Sequence, residues 1–193
     1  MWAVLAVDPV DRRDWLLENI LTVVTVGVLL WTYRRFPLAD ASYVLIVVFL
    51  ILHAVGAHYT YAKVPLGFWL KDLFDLSRNH FDRIVHFGFG LLFAYPIREI
   101  LVRWAKVASG WSYVLAVLTV MACSDFFEVL ESWVAQILSP ELGTAYLGTQ
   151  GDVWDAQKDT TCALVGALLA VLFMLVLPKI VPKRFHLPSL KPA

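Results

Sequence analysis

Long apolar runs separated by short polar breaks make up most of the chain. The runs over 15–33, 41–62, 81–101, 111–138 and 156–177 each approach the roughly 20 residues that a helix needs to cross a bilayer core. None shows the sustained alternation of a barrel strand, so the pattern predicts about five transmembrane helices. The fold class is therefore all-α: a compact, polytopic membrane bundle, with 1–193 forming a single transmembrane domain. Trp15, Trp31, Trp104, Trp111, Trp133 and Trp154 stand near the run borders, where interfacial tryptophans collect. Pro37, Pro65, Pro140, Pro178 and Pro182 mark helix ends, while Pro96 lies inside the third run and is expected to kink or shorten it. The apolar opening 1–7 is too short to span and lacks the basic start and cleavage site of a signal peptide. It is expected to form an interfacial turn or short helix.

Composition agrees. Hydrophobic residues are 60% and charged ones 17%, which excludes an ordinary soluble domain. A net charge of zero gives no support to a nucleic-acid partner; membrane lipids are the expected surroundings. Cys123 and Cys162 lie far apart within apolar stretches and form neither a zinc pair nor a disulfide framework. Five spans put the termini on opposite sides. One side collects Arg34, Arg35, Arg98, Arg103, Lys106, Lys179, Lys183, Arg184 and Lys191, against Arg12, Arg13, Lys63, Lys71 and Arg78 on the other. The positive-inside rule then predicts an outside N-terminus and a cytoplasmic C-terminus.

Ionisable residues near membrane segments are costly, so their positions are informative. His53 and His58 end the second run; Asp82, Arg83 and His86 open the third; Asp125, Glu128 and Glu131 end the fourth; Asp152, Asp155, Lys158 and Asp159 open the fifth. Alternating helix direction brings all four groups, with Glu18 and Asn19, to one membrane face, the one predicted to be outside. Asp82 and His86 are four apart and share a helix face. Asp125, Glu128 and Glu131 form another stripe, and Asp152, Asp155 and Asp159 a third. His53 and His58 are separated by about 140° around a helix and need not share a target. Three readings compete: caps and salt bridges involving Arg83 and Lys158, a divalent-metal site, and a proton or ion path. Gly148 and Gly151 permit tight or left-handed backbone before Asp152, the expected N-cap of the fifth helix. The segment suits a lid or substrate-access loop, and equally a plain turn into the helix.

The runs Leu52-His53 through Gly56-Ala57-His58-Tyr59-Thr60-Tyr61-Ala62, Arg78-Asn79-His80-Phe81-Asp82-Arg83-Ile84-Val85-His86-Phe87 and Gly148 to Asp159, with its Gly-Thr-Gln-Gly-Asp start, resemble the YjdF family. These are bacterial inner-membrane proteins with a domain of unknown function, and the resemblance extends from about Arg12 to Pro178. It implies a multi-pass inner-membrane protein and no established activity. A fainter similarity links Asp82-Arg83-Ile84-Val85-His86-Phe87, a later Glu128 or Glu131, and Asp155 or Asp159 with Gly166 to VanZ-like membrane proteins. That likeness implies an envelope or lipid-linked role.

The leading expectation is a metal-dependent hydrolase or transferase acting on an envelope lipid or lipid-linked substrate. Asp82, His86, Glu128 and Asp155 are the expected ligands of zinc, manganese, iron or magnesium. Asp152 or Glu131 is the expected base, and His53, His58 and Asp159 are additional candidates. An ion or solute transporter and a non-catalytic membrane or envelope assembly protein are the alternatives. The cytoplasmic half, poor in polar residues, counts against transport.

Overall fold

A computed structural model describes residues 1–138, 143 and 146–180, with side chains as far as Val176. Pro140, Pro182, Lys183, Arg184 and Lys191, used above, lie outside the described residues. Seven helices are described: α1 (Trp2–Leu5), α2 (Arg12–Tyr33), α3 (Asp40–His58), α4 (Pro65–Leu73), α5 (Phe81–Arg103), α6 (Ser109–Ile137) and α7 (Asp155–Ile180). Five of them, α2, α3, α5, α6 and α7, are long and apolar enough to cross a membrane.

Local chemistry explains several boundaries. Asp11 caps α2, its carboxylate accepting from the backbone N–H groups of Arg13 and Asp14. The second span ends at His58 rather than at Ala62, because Thr60 and Tyr61 take left-handed backbone, with φ of 54° and 49°. The Tyr61 N–H turns back to the Gly56 carbonyl, closing the helix. The expected short opening helix is α1. The pattern of long runs concealed α4, a nine-residue amphipathic segment with Pro65 in its first turn and Phe68 and Trp69 exposed. Pro96 does not end α5, which continues through it to Arg103.

The bundle is built around α5. Half of the apolar stretch of α5 is buried, against 17% for α2, so α5 is the central post and α2 a peripheral one. α5 packs on α3, α6 and, most closely, α7. Small residues allow that approach: Ala94 of α5 meets Ala163, Ala167 and Ala170 of α7, with Val120 of α6. A Cβ on Gly90 would collide with the Ala163 carbonyl, and one on Gly166 with the Phe87 carbonyl, so the two backbones touch directly. A second core joins Phe49 and Val85 to Phe81 and Val64. Val23, Val44, Leu118, Val165 and Leu168 are exposed, as expected where hydrocarbon is the solvent.

Candidate functional site

The N-terminal ends of α2, α5 and α7 share one face of the bundle with the C-terminal ends of α3 and α6, and the polar residues converge there. Asp82 and His86, one turn apart on α5, meet Asp159 of α7. One ligand atom from each lies within 4.8 Å of the others. The Nε2 of His86 is 3.1 Å from Glu128 and 3.7 Å from Asp82, while its Nδ1 lies 3.0 Å from the Ser124 hydroxyl. Ser124, Glu128 and Glu131 follow one stripe of α6, and Ser124 and Glu131 are buried. Asp159 is 1% exposed, and neither of its carboxylate oxygens has a hydrogen-bond partner among the described residues.

A second group of acids adjoins the first. Asp14 and Glu18, one turn apart on α2, are buried. Their charges, with that of Glu131, reach two tyrosines outside the spans. Burial, followed by the charges of Glu18, Asp82, Glu131 and Asp14, pushes the Tyr61 hydroxyl well above its ordinary pKa. Tyr146 is raised by burial and then by Glu18, Glu131 and Asp14. Glu18 has one carboxylate oxygen and Asp14 another without a partner among the described residues.

The predicted residues divide into two layers. Asp82, His86, Glu128 and Asp159 come together; Asp155 and Asp152 form a rim of ion pairs instead. Asp155 Oδ1 lies 2.7 Å from Arg78 and 2.8 Å from Arg83. Asp152 pairs with Arg83 at 3.0 Å and Lys158 at 2.7 Å, and accepts from the Trp154 N–H one turn before α7 begins. Lys158 and that N–H hold its pKa below the ordinary carboxylate value. Asp152 is not the N-cap of α7, which begins at Asp155; it stands in a tight turn leading into that helix. Asp125 accepts from the Thr160 hydroxyl at 2.7 Å.

The other two candidate histidines, His53 and His58, have structural partners. His53 Nε2 lies 3.0 Å from the Glu18 carbonyl, which can only accept, so that nitrogen carries the proton. Its Nδ1 then accepts from the Tyr61 hydroxyl at 2.5 Å. Both nitrogens of His53 are occupied. His58 Nδ1 donates to the Leu5 carbonyl at 2.9 Å and ties α1 to α3.

The glycine-containing loop lies over the site. Gly148 (φ 60°) has only the Asp82 carboxylate within reach of an added Cβ, at 3.9 Å. Arg78 donates to the Thr149 carbonyl. Gln150, itself at φ 49°, exchanges two hydrogen bonds with the Asn79 backbone, at 3.2 and 2.9 Å. Sequence reasoning missed Arg78, Asn79, Ser124 and Tyr61. The i, i+4 spacing of Ser124 and Glu128 is the available signal for Ser124; Arg78, Asn79 and Tyr61 stand in the runs that resemble the YjdF family, which assign them no individual role.

Beneath the acids lies an apolar cavity of about 400 Å³. His53, Tyr61, Asp82, His86 and Ser124 form its polar end. Hydrophobic side chains from α2, α3 and α5, among them Val28, Phe89 and Ile97, line the rest. Val24, Val28 and Cys123 in its wall are exposed, so the cavity is not sealed from the bilayer. At the opposite face, inside α5, Glu99 is fully buried. It accepts from the Ala39 N–H at 2.8 Å, the Ser42 hydroxyl at 2.5 Å and Arg103, and serves as a remote cap for α3.

Comparison with known proteins agrees with this architecture. The family model described as a predicted membrane protein, DUF2238, matches residues 1–179. The chain is 41% identical over 182 residues to the inner membrane protein YjdF of Escherichia coli strain K12, covering 94% of this chain and 83% of that protein. No solved structure matches.

Proposed function

The chain belongs to the DUF2238 family of multi-pass inner-membrane proteins, and from that premise we propose a divalent-metal hydrolase or transferase acting on an envelope lipid or lipid-linked substrate. In this reading residues 1–193 act as one transmembrane domain with the site on the extracytoplasmic face.

One observation carries the proposal: the buried, unpartnered carboxylate of Asp159 beside Asp82 and His86. A carboxylate removed from water without a partner is costly. Among the described residues, every Arg and Lys ion pair near the site goes to Asp152 or Asp155. Among the described residues Asp82 and Glu128 have His86 as their ion-pair partner and the carboxylate of Asp159 has no hydrogen-bond partner, which leaves acids in surplus there. A divalent ion offsets that surplus directly, and mixed imidazole and carboxylate ligands suit zinc, manganese or iron. His86 is prepared for this role: when Ser124 accepts from Nδ1–H, the bare Nε2 is turned toward the acids. A bound ion supplies a Lewis acid and a water that deprotonates near neutral pH. Glu131, buried beside the cluster, is the candidate proton acceptor. The apolar lower cavity suits a lipid chain better than a hydrated ion, which favours this reading over transport.

Elemental analysis after chelator-free purification tests it. About one equivalent of a divalent metal per chain is expected, lost in the Asp82→Asn, His86→Ala double variant. Substoichiometric metal, together with an unchanged melting temperature on adding zinc, manganese or iron, overturns the proposal.

A further inference from the structure

The cations at the rim carry more positive charge and more hydrogen-bond donors than their partners use. Arg78 is 7% exposed. Its NH1 serves both Asp155 and the Thr149 carbonyl, while its Nε and NH2 are buried with no hydrogen-bond partner among the described residues. Arg83 repeats the arrangement: NH2 serves Asp152 and Asp155, and Nε is buried without a partner. Arg78, Arg83 and Lys158 thus face two carboxylates, Asp152 and Asp155. A buried donor without an acceptor has lost its water and gained nothing in exchange. Three such nitrogens, Nε and NH2 of Arg78 and Nε of Arg83, identify a place where a ligand would supply oxygen atoms.

That place adjoins the proposed metal layer. Asp155, held by both arginines, is one turn before Asp159 on α7, a separation of about 6 Å along the axis. Arg83 follows Asp82 in the chain, and the Thr149 carbonyl bound by Arg78 is next to Gly148, above the Asp82 carboxylate. A neutral ester or amide offers one carbonyl acceptor and no charge, too little for three buried donors on two cations. A phosphate group offers several charged acceptor oxygens, matches the planar fork of arginine, and is a hard ligand for a divalent ion.

We propose that the substrate's polar end is a phosphate group esterified to a lipid, with Arg78 and Arg83 holding its non-bridging oxygens and the lipid chain in the apolar cavity. The chemistry rests on the metal reading above; the binding does not. In hydrolysis, the oxygen of water bonds to phosphorus and the phosphorus–oxygen bond to the leaving group breaks. One water proton passes through a carboxylate to the departing oxygen, and no oxidant or reductant takes part.

The test uses the full chain in neutral detergent with three probes at equal concentration: dioleoyl phosphatidic acid, dioleoylglycerol and inorganic phosphate. Thermal shift and native mass spectrometry read binding, and metal content is measured on the same samples. Phosphatidic acid is expected to stabilise the protein and remain bound, with dioleoylglycerol inert and inorganic phosphate weaker. Arg78→Gln and Arg83→Gln should each weaken phosphatidic acid binding about tenfold or more, and Arg78→Lys by less. If Arg78→Gln fails to fold, Arg83→Gln and Arg78→Lys decide. Equal stabilisation by dioleoylglycerol, stabilisation by inorganic phosphate without the lipid, or undiminished binding in every arginine variant overturns the proposal. Metal without arginine-dependent phosphatidic acid binding overturns this inference and leaves the metal reading intact. Arginine-dependent binding without metal does the reverse.

Discussion

His86 is engaged at both ring nitrogens, by Ser124 at 3.0 Å and Glu128 at 3.1 Å, so its orientation is set from α6 although it belongs to α5. In the metal-competent tautomer Ser124 accepts the Nδ1 proton, as outer partners of ligating histidines do. Ser124→Ala is therefore expected to lower metal affinity about 10–100-fold while leaving the helical fold intact, as read by metal titration with circular dichroism as the control. A larger loss accompanied by unfolding would make Ser124 a packing residue instead. His80, outside the spans, gives a pH signature. Burial first, then the charges of Arg78 and Arg83, lower its pKa, opposed by Asp152 and Asp155. Between its ordinary value and the lower folded one, the unfolded chain binds the extra proton, so this contribution to stability is lost as pH falls. The melting temperature of His80→Gln relative to wild type should accordingly rise as pH is lowered from about 7.5 to about 5.5. A constant difference would show that His80 does not sense the rim charges.

At the scale of elements, the site depends on how closely α5 and α7 approach, since Asp82 and His86 stand on one and Asp159 on the other. Gly166 touches the α5 backbone at the Phe87 carbonyl, whereas an added Cβ on Gly27 of α2 would meet nothing within 4 Å. Gly166→Val is expected to destabilise the bundle by about 1–3 kcal/mol or more and weaken metal retention, with Gly27→Val close to wild type. Thermal unfolding of both variants in the same detergent checks this; equal behaviour would remove the close helix contact from the argument. The same comparison explains what the sequence made legible. The five spans and the shared polar face followed from run length and alternating direction, because hydrocarbon allows few backbone solutions. The short α4 did not, since nine residues produce no long run. Periodicity also placed Asp152 and Asp155 with the acids but could not foresee that Arg78, in a preceding loop, would fold back and pair with Asp155. The full burial of Glu99 was similarly hidden, because its acceptors are satisfied by Ala39 and Ser42 from another helix.

For the whole molecule, the side of the membrane that holds the site decides which substrates reach it. Counted along the sequence, basic residues run nine to five in favour of a cytoplasmic side opposite the site, before Arg83 and Lys158 are counted at helix starts; Lys183, Arg184 and Lys191 in that count lie outside the described residues. The exposed turn residues Arg34, Arg35 and Lys106 lie on that opposite face, and flanking Lys and Arg, rather than net charge, set orientation. Arg78, Arg83 and Lys158 on the site face are bonded to Asp152 and Asp155. Their presence there is accounted for by the rim, independently of topology. The site should therefore open outside the cytoplasm, with the cavity beneath it reached from the outer leaflet. With Cys123 and Cys162 replaced by alanine, Thr149→Cys is expected to react in intact cells with a thiol reagent that cannot cross the inner membrane. Lys106→Cys should react only after the cells are broken open. The reverse pattern would place the loop and the acids in the cytoplasm and confine the substrate to lipids of the inner leaflet.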